Sequence, residues 1–296
     1  MDITKTGPSG GVEQVTIFRQ RGRTAATAVG VTALYVLAAF VGLKLAVVHG
    51  SVTAIWPPSG IALAALLVFG YRFWPAVAAG AFLVSYASGV PLVTGIGIAS
   101  GNTLAALAGL MLVRRLSGAT GPLDSVRSLL ALFGGGALLA ALISATAGTS
   151  ALILTGVAAA GELPSIWLTW WLGDAAGVIV FAPLLLAWMT PDPFIRRPLR
   201  AVEVLLLAVS LVFAAQIVFG GWFFTGSQNY PLAFLLLPVL LWAGFRFGRR
   251  GATTAVATMS LLAVWGTVLG YGPFVHADLN TSLLLLQAFM CVNAFT

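Results

Sequence analysis

Residues 167–188 read WLTWWLGDAAGVIVFAPLLLAW, and their one charged group, Asp174, sits among tryptophans, glycines and aliphatic residues. About 20 apolar residues cross the hydrocarbon core of a bilayer, so the stretch is read as a membrane-spanning helix whose carboxylate needs a reason to be there. On a helix, Trp171, Trp170 and Trp167 precede Asp174 by three, four and seven positions, and Gly177 follows by three. Gly173 and Gly177 form a small-xxx-small spacing that admits another backbone. Asp174 is therefore expected near the midplane, facing a helix contact and not lipid.

The rest of the chain has the same character. Of its 296 residues 59% are hydrophobic and 8% charged, where a soluble domain has about 25% charged residues. The mean hydropathy is +1.01. This composition predicts an all-α, polytopic integral membrane bundle over residues 25–296, with no room for a soluble domain. Residues 1–24 carry Lys5, Arg19, Arg21 and Arg23 and read as a disordered cytoplasmic leader. The net charge of +7 comes from short basic clusters between apolar runs, which suit orientation signals and not a nucleic-acid groove. The single cysteine, Cys291, lies in an apolar run and reads as core packing.

Apolar segments fall at 25–48, 59–73, 75–89, 92–113, 128–157, 165–189, 201–224, 231–245, 251–270 and 281–296. They predict ten spans. With a cytoplasmic N-terminus and alternating ends, 14 of the 15 Lys and Arg fall inside and only Lys44, in the first span, is left over. The segments 59–73 and 75–89 are short, and treating them as a re-entrant hairpin gives eight spans, at the cost of placing Arg72 at membrane depth. The last segment stops while still apolar, which reads as a helix heading toward the cytoplasm and cut before an output domain.

Two of the segments carry an internal echo. Arg72 follows Pro57 by 15 residues and closes with "FGYRF"; Arg246 follows Pro231 by 15 and closes with "AGFRF". Both segments run from outside to inside, so a parallel repeat at an offset of 174 is one reading. The other is that every helix of this direction selects Pro at its start and Arg at its end.

Asn102, in "IASGNTLAALAG", lies at a depth similar to Asp174, with Ala99, Ala105, Ala106 and Gly109 on its face. The two helices are expected to pack through small residues and to join Asn102 to Asp174 by a hydrogen bond. Lys44 is expected either to reach Asp174 or to snorkel outward. At the outer helix ends lie His49, Trp56, Glu162, Tyr230, His276 and Asp278. Their separations show no metal-ligand spacing, so no metal or cofactor is expected. Ser59 and Ser165 lack a nucleophile-elbow context, and no catalytic constellation is found.

Taken together, "WPPSGIALAALLVFGYRFWPAVAAGAFL", "IASGNTLAALAGLMLVRRL", "WLTWWLGDAAGVIVFAPLLLAW" and "PLAFLLLPVLLWAGFRFGRRGA" resemble the first class of membrane-associated sensor domain, the MASE family. The likeness runs from about residue 30 to the end. Trp56, Pro57, Pro58, Gly60, Asn102, Trp171, Gly173, Asp174, Gly177 and Pro183 match the family's characteristic residues. The resemblance implies a sensory module of the bacterial inner membrane, joined at its C-terminus to a histidine kinase, diguanylate cyclase or phosphodiesterase, and signalling as a homodimer of the full-length protein. The chain itself is then no enzyme.

The sensing candidates are Asp174, Asn102 and Lys44 as a buried cluster, reached from outside past Trp56 and Trp167. Trp170, Trp171, Gly173, Gly177, Pro57, Pro58 and Gly60 surround it, with His49 and Glu162 at the mouth. A small molecule, a membrane partner protein or a proton is the expected stimulus. A small-solute transporter or channel is the alternative.

Overall fold

The computed structural model describes residues 10–44, 54–118, 120–190, 201–221, 232–277 and 279–294. Among these there are nine helices and no strand: α1 (Gly10–Lys44), α2 (Pro57–Phe69), α3 (Trp74–Ala87), α4 (Leu92–Ser117), α5 (Val126–Leu154), α6 (Leu163–Met189), α7 (Ala201–Phe219), α8 (Leu237–Val268) and α9 (Leu279–Ala294). Six stretches are long and apolar enough to cross a membrane: Gly22–Lys44, Leu92–Ser117, Val126–Leu154, Ala160–Met189, Ala201–Phe219 and Ala233–Val268. Pro57–Phe69 and Thr281–Ala294 are apolar but shorter. Length and composition thus support six crossings, fewer than the ten expected.

Two differences have local causes. The helix of α1 already runs from Gly10, so residues 10–24 are helical where a disordered leader was expected; extending an existing helix costs far less than nucleating one. The expected segments 231–245 and 251–270 share α8, whose chain reverses at Gly248 (φ 64°, ψ −157°), a backbone region that suits glycine. A Cβ placed on Gly251 would lie 2.9 Å from the carbonyl oxygen of Ala243, eight residues back. In a straight helix eight residues rise about 12 Å along the axis, which rules out such a contact, so α8 is a hairpin of two limbs, 237–247 and 249–268.

The internal echo has a shared geometry at its arginines. Arg72 lies over the ring of Phe73 at 5.3 Å, and Arg246 lies over that of Phe247 at 5.8 Å. Pro231, the second proline of the echo, is outside the described residues.

The helix ends gather into two opposed faces. At one, Arg127 Nε donates to Leu116 O at 2.7 Å, Arg249 pairs with Asp124 at 2.6 Å and Arg250 donates to Ala187 O and Thr190 O at 3.1 Å. This is the arginine end. The other holds the N-termini of α2, α4 and α6.

Two apolar cores run between them, one among α1–α6 and one among α6–α9. Helix α6 serves both: Ala175, Val178 and Ile179 face the first, Ala176 and Val180 the second. It is accordingly buried on most sides in its middle, from Gly173 to Val180.

Candidate functional site

Close backbone contact positions the site. Pro57 and Pro58 occupy the first turn of α2, where a missing N–H costs nothing, and both are buried. The N–H of Trp56 donates to Gly173 O of α6 at 3.0 Å. A Cβ on Gly177 would collide with Trp56 O, and one on Gly60 would collide with Gly177 O. The small-residue face of α6 therefore receives the start of α2, and only glycine fits there. Helix α4 instead lays its small face on α5: Cβ atoms on Gly97 and Gly101 would meet Ala151 and Ala147 at 2.7 and 2.6 Å.

That arrangement brings five helices around Asp174, which is 2% exposed. Ser59 of α2 donates to Asp174 Oδ1 at 2.6 Å. Ser144 of α5 lies 2.5 Å from Asp174 Oδ2 and 2.6 Å from Asn102 Oδ1 of α4. The Trp170 indole N–H donates to Ser144 Oγ at 3.2 Å. Tyr35 of α1, 1% exposed, is 3.5 Å from Asn102 Nδ2, and the Trp56 side chain also hydrogen-bonds its hydroxyl.

Proton bookkeeping orders this network. Ser144 has one proton, and the carboxylate is the stronger acceptor. Turning the Asn102 amide over presents its N–H to Ser144 and its oxygen to Tyr35, a choice that heavy-atom positions leave open. Donors then run one way, from Trp56 to Tyr35 to Asn102 to Ser144 to Asp174, with Ser59 on the second carboxylate oxygen. Every hydroxyl in the chain both donates and accepts, and the line ends on the one group that can only accept.

The expected direct bond from Asn102 to Asp174 is thus replaced by a bridge through Ser144, because α5 lies between α4 and α6. Sequence reasoning missed Ser144 and Tyr35 and weighed Ser59 only as a nucleophile. A signal for Ser144 exists: it stands in the middle of its span, in "LISATAGTS", four residues before Gly148, on whose Cα the Trp170 ring rests. Rings elsewhere use glycine in the same way: Tyr35 sits against Gly80 and Trp56 against Gly42.

Other candidates lie apart from the cluster. Lys44 is exposed at the end of α1 and makes no ion pair with Asp174. The two ion pairs among the described residues, Arg246–Glu203 and Arg249–Asp124, are at the arginine end. Trp167 and Trp171 stack on each other at 5.7 Å and donate to Thr146 Oγ1 (3.1 Å) and Leu138 O (2.8 Å), which ties α6 to α5 away from the cluster's open side. Helical geometry explains the split, since Trp170 lies about 100° around the helix from Trp171. Glu162 is exposed and accepts from the N–H of Ala159 at 3.0 Å. His49, Tyr230 and Asp278 are outside the described residues.

A cavity of about 140 Å³ opens above the network toward the arginine-free end, with Trp56, Trp170, Tyr35, Asn102 and Asp174 at its deep side and Ser88 and Val90 at its outer one. Behind the network is a second space of about 20 Å³, between Ser59, Leu63, Gly136 and Val178, room for about one water. Asp174, Asn102 and Tyr35 line both. The network is the partition between them.

A family model for MASE1 matches residues 27–296. The chain belongs to the MASE1 family. MASE1 is a membrane sensor domain of signalling proteins, and the likeness drawn from Trp56–Gly60, Asn102 and Gly173–Gly177 now has a geometry: those residues meet at one buried polar partition. No curated protein and no solved structure matches this MASE1 chain.

Proposed function

We propose that this MASE1 domain is the ligand-sensing input of a bacterial inner-membrane signalling protein, with the arginine end in the cytoplasm. A small molecule entering the larger cavity from the arginine-free end displaces the partition around Asp174, and α6 carries the change to α9. The observation that supports this reading most is the position of α6. One side of it forms the floor of the cavity, and α9 packs against the other, with Cys291 and Ala294 reaching the first core.

In this reading α2, α3 and α9 also cross the membrane and α8 crosses twice, once with each limb, which makes ten spans. The chain past α9 leads to a cytoplasmic histidine kinase, diguanylate cyclase or phosphodiesterase, and the full-length protein signals as a homodimer. A ligand shifts the equilibrium between two helix arrangements only by its differential affinity for them, so the site must change shape with occupancy.

The test is thermal unfolding of the purified chain in nanodiscs across a metabolite panel, wild type against Asp174→Asn. A compound that stabilises the wild type by RT ln(1 + [L]/Kd) and leaves the variant unmoved supports the reading. An equal response in both removes Asp174 from the sensing site. A second reading, a small-solute transporter or channel, draws on the smaller space behind the partition; uptake of the same compound into liposomes would favour it.

A further inference from the structure

The cavity that the reading above takes as the ligand site also constrains the charge of its ligand. No Lys, Arg or His lines it among the described residues. Its hydroxyls have already committed their protons: Ser85 donates to Ala81 O at 3.0 Å and Ser88 to Val84 O at 2.9 Å. The indole N–H of Trp170 goes to Ser144, and the Trp56 side chain is bonded to Tyr35. What faces the space is therefore acceptor: the lone pairs of Ser85 and Ser88 and the unfilled sites of Asp174. A carboxylate offers about four acceptor sites, of which Ser59 and Ser144 take two. One N–H of the Asn102 amide is the exception.

An anion or a carbonyl compound would meet like charge and almost no donors in this wall. A cation with several N–H groups would meet a buried counter-ion and an array of acceptors. Beyond Asp174 the wall is aromatic and aliphatic, from Trp56 and Trp170 to Leu43, Val84 and Ile98, and the volume of about 140 Å³ holds about ten water-sized groups. We propose that the cavity takes a protonated primary amine with a short apolar tail, its ammonium group against Asp174. This rests on the cavity being the ligand site. The same chemistry is offered by free alkylamines and arylalkylamines and by the headgroup of phosphatidylethanolamine.

The experiment is thermal unfolding of the purified chain in phosphatidylcholine and phosphatidylglycerol nanodiscs at neutral pH. The probes are butylamine and phenethylamine, with butanol, 2-phenylethanol, butyrate and phenylacetate as matched neutral and anionic compounds. The expected result is a concentration-dependent rise in Tm with the amines, and responses at least about tenfold weaker with the alcohols and carboxylates. Ile98→Trp fills the cavity while leaving the partition's own side chains unchanged, and it should keep the baseline Tm and lose the response. Asp174→Asn should weaken the amine at least about tenfold if it folds.

Adding phosphatidylethanolamine to the nanodiscs separates the sources. A higher baseline Tm that blocks the soluble amines, and that Ile98→Trp lacks, identifies the lipid; an unchanged amine response identifies the free amine. An alcohol or carboxylate that stabilises as strongly as the amine, and is blocked by Ile98→Trp, overturns the cation and leaves the cavity standing. Equal amine responses in wild type and Ile98→Trp overturn the site. Silence from every probe overturns the amine; a metabolite from the broader panel that Ile98→Trp blocks would then still support the cavity, and its absence would remove both.

Discussion

The two cores of the molecule differ in how completely their buried polar side chains are satisfied. In the first, between α1 and α6, Asp174, Ser144, Asn102, Tyr35, Ser59 and Trp170 satisfy one another across five helices. In the second, between α6 and α9, Gln287 of α9 is 1% exposed, and both of its amide atoms lack a hydrogen-bond partner among the described residues. An unmet buried polar group costs about 1–3 kcal/mol, and hydrocarbon supplies no water to relieve it. The polar groups of the first core are thus satisfied as they stand, while α9 has a polar group that another arrangement could satisfy. The difference separates a satisfied polar cluster from a helix with a reason to move.

The contact that builds the first core should be the most sensitive to change. Gly177→Val places side-chain carbon where the Trp56 carbonyl lies, and both partners are backbone, so neither can rotate away. The expected loss is about 3 kcal/mol or more, the upper range of overpacking, read as a large drop in Tm or in folded yield. A fully folded Gly177→Val protein with the wild-type Tm would show that α2 does not seat on α6 in this way.

Asp174→Leu comes next. It removes the acceptor at which the donor chain ends, leaving Ser59 and Ser144 hydroxyls unmet, and should cost about 2 kcal/mol. Asp174→Asn keeps an oxygen for one of them and should cost less. If Leu proves as stable as wild type, the partition is a passive packing feature and the contrast between the cores weakens. Ser144→Ala cuts the bridge from Asn102 to Asp174 but leaves Ser59 in place. Interhelical polar bonds in membranes are worth about 0.6 kcal/mol on average, and with Trp170 also losing its acceptor the expected cost is about 1 kcal/mol. A double-mutant cycle of Ser144→Ala with Asn102→Ala should show coupling, since the two share one proton path.

Much of the first core was legible in the sequence because its key residues are rare in spans. Asp174 stands out in any apolar run, Gly173 and Gly177 mark a close approach by their spacing, and Trp56-Pro57-Pro58 marks a helix start. Ser144 and Ser59 were not legible for a physical reason. A hydroxyl in a helix can satisfy itself on the carbonyl four residues back, as Ser85, Thr103 and Thr149 do, so its presence says nothing about a partner. Which helix stands between α4 and α6 is likewise a property of packing, and without it Asn102 and Asp174 looked like direct partners. The turn at Gly248 was read as a break between two segments, and the arginines at both echoed turns were read as end markers. Their stacking on the following phenylalanines could not be inferred from spacing alone.

The smallest expected effect has the opposite sign and bears most directly on the comparison. Gln287→Leu replaces a buried amide having no described partner with an apolar group that suits Leu283, Leu286 and Met290, its neighbours in the second core. Removing a polar group that nothing satisfies relieves its desolvation cost, partly offset by altered packing, so the variant should be more stable by about 0.5 kcal/mol. The check is a small rise in Tm beside the falls caused by Asp174→Leu and Ser144→Ala. In the ligand-sensing reading proposed above, the same substitution should also narrow the response to stimulus, because α9 loses its incentive to leave this position. A fall in Tm with Gln287→Leu would mean that the amide is satisfied after all, and the contrast between α9 and the helices around Asp174 would disappear.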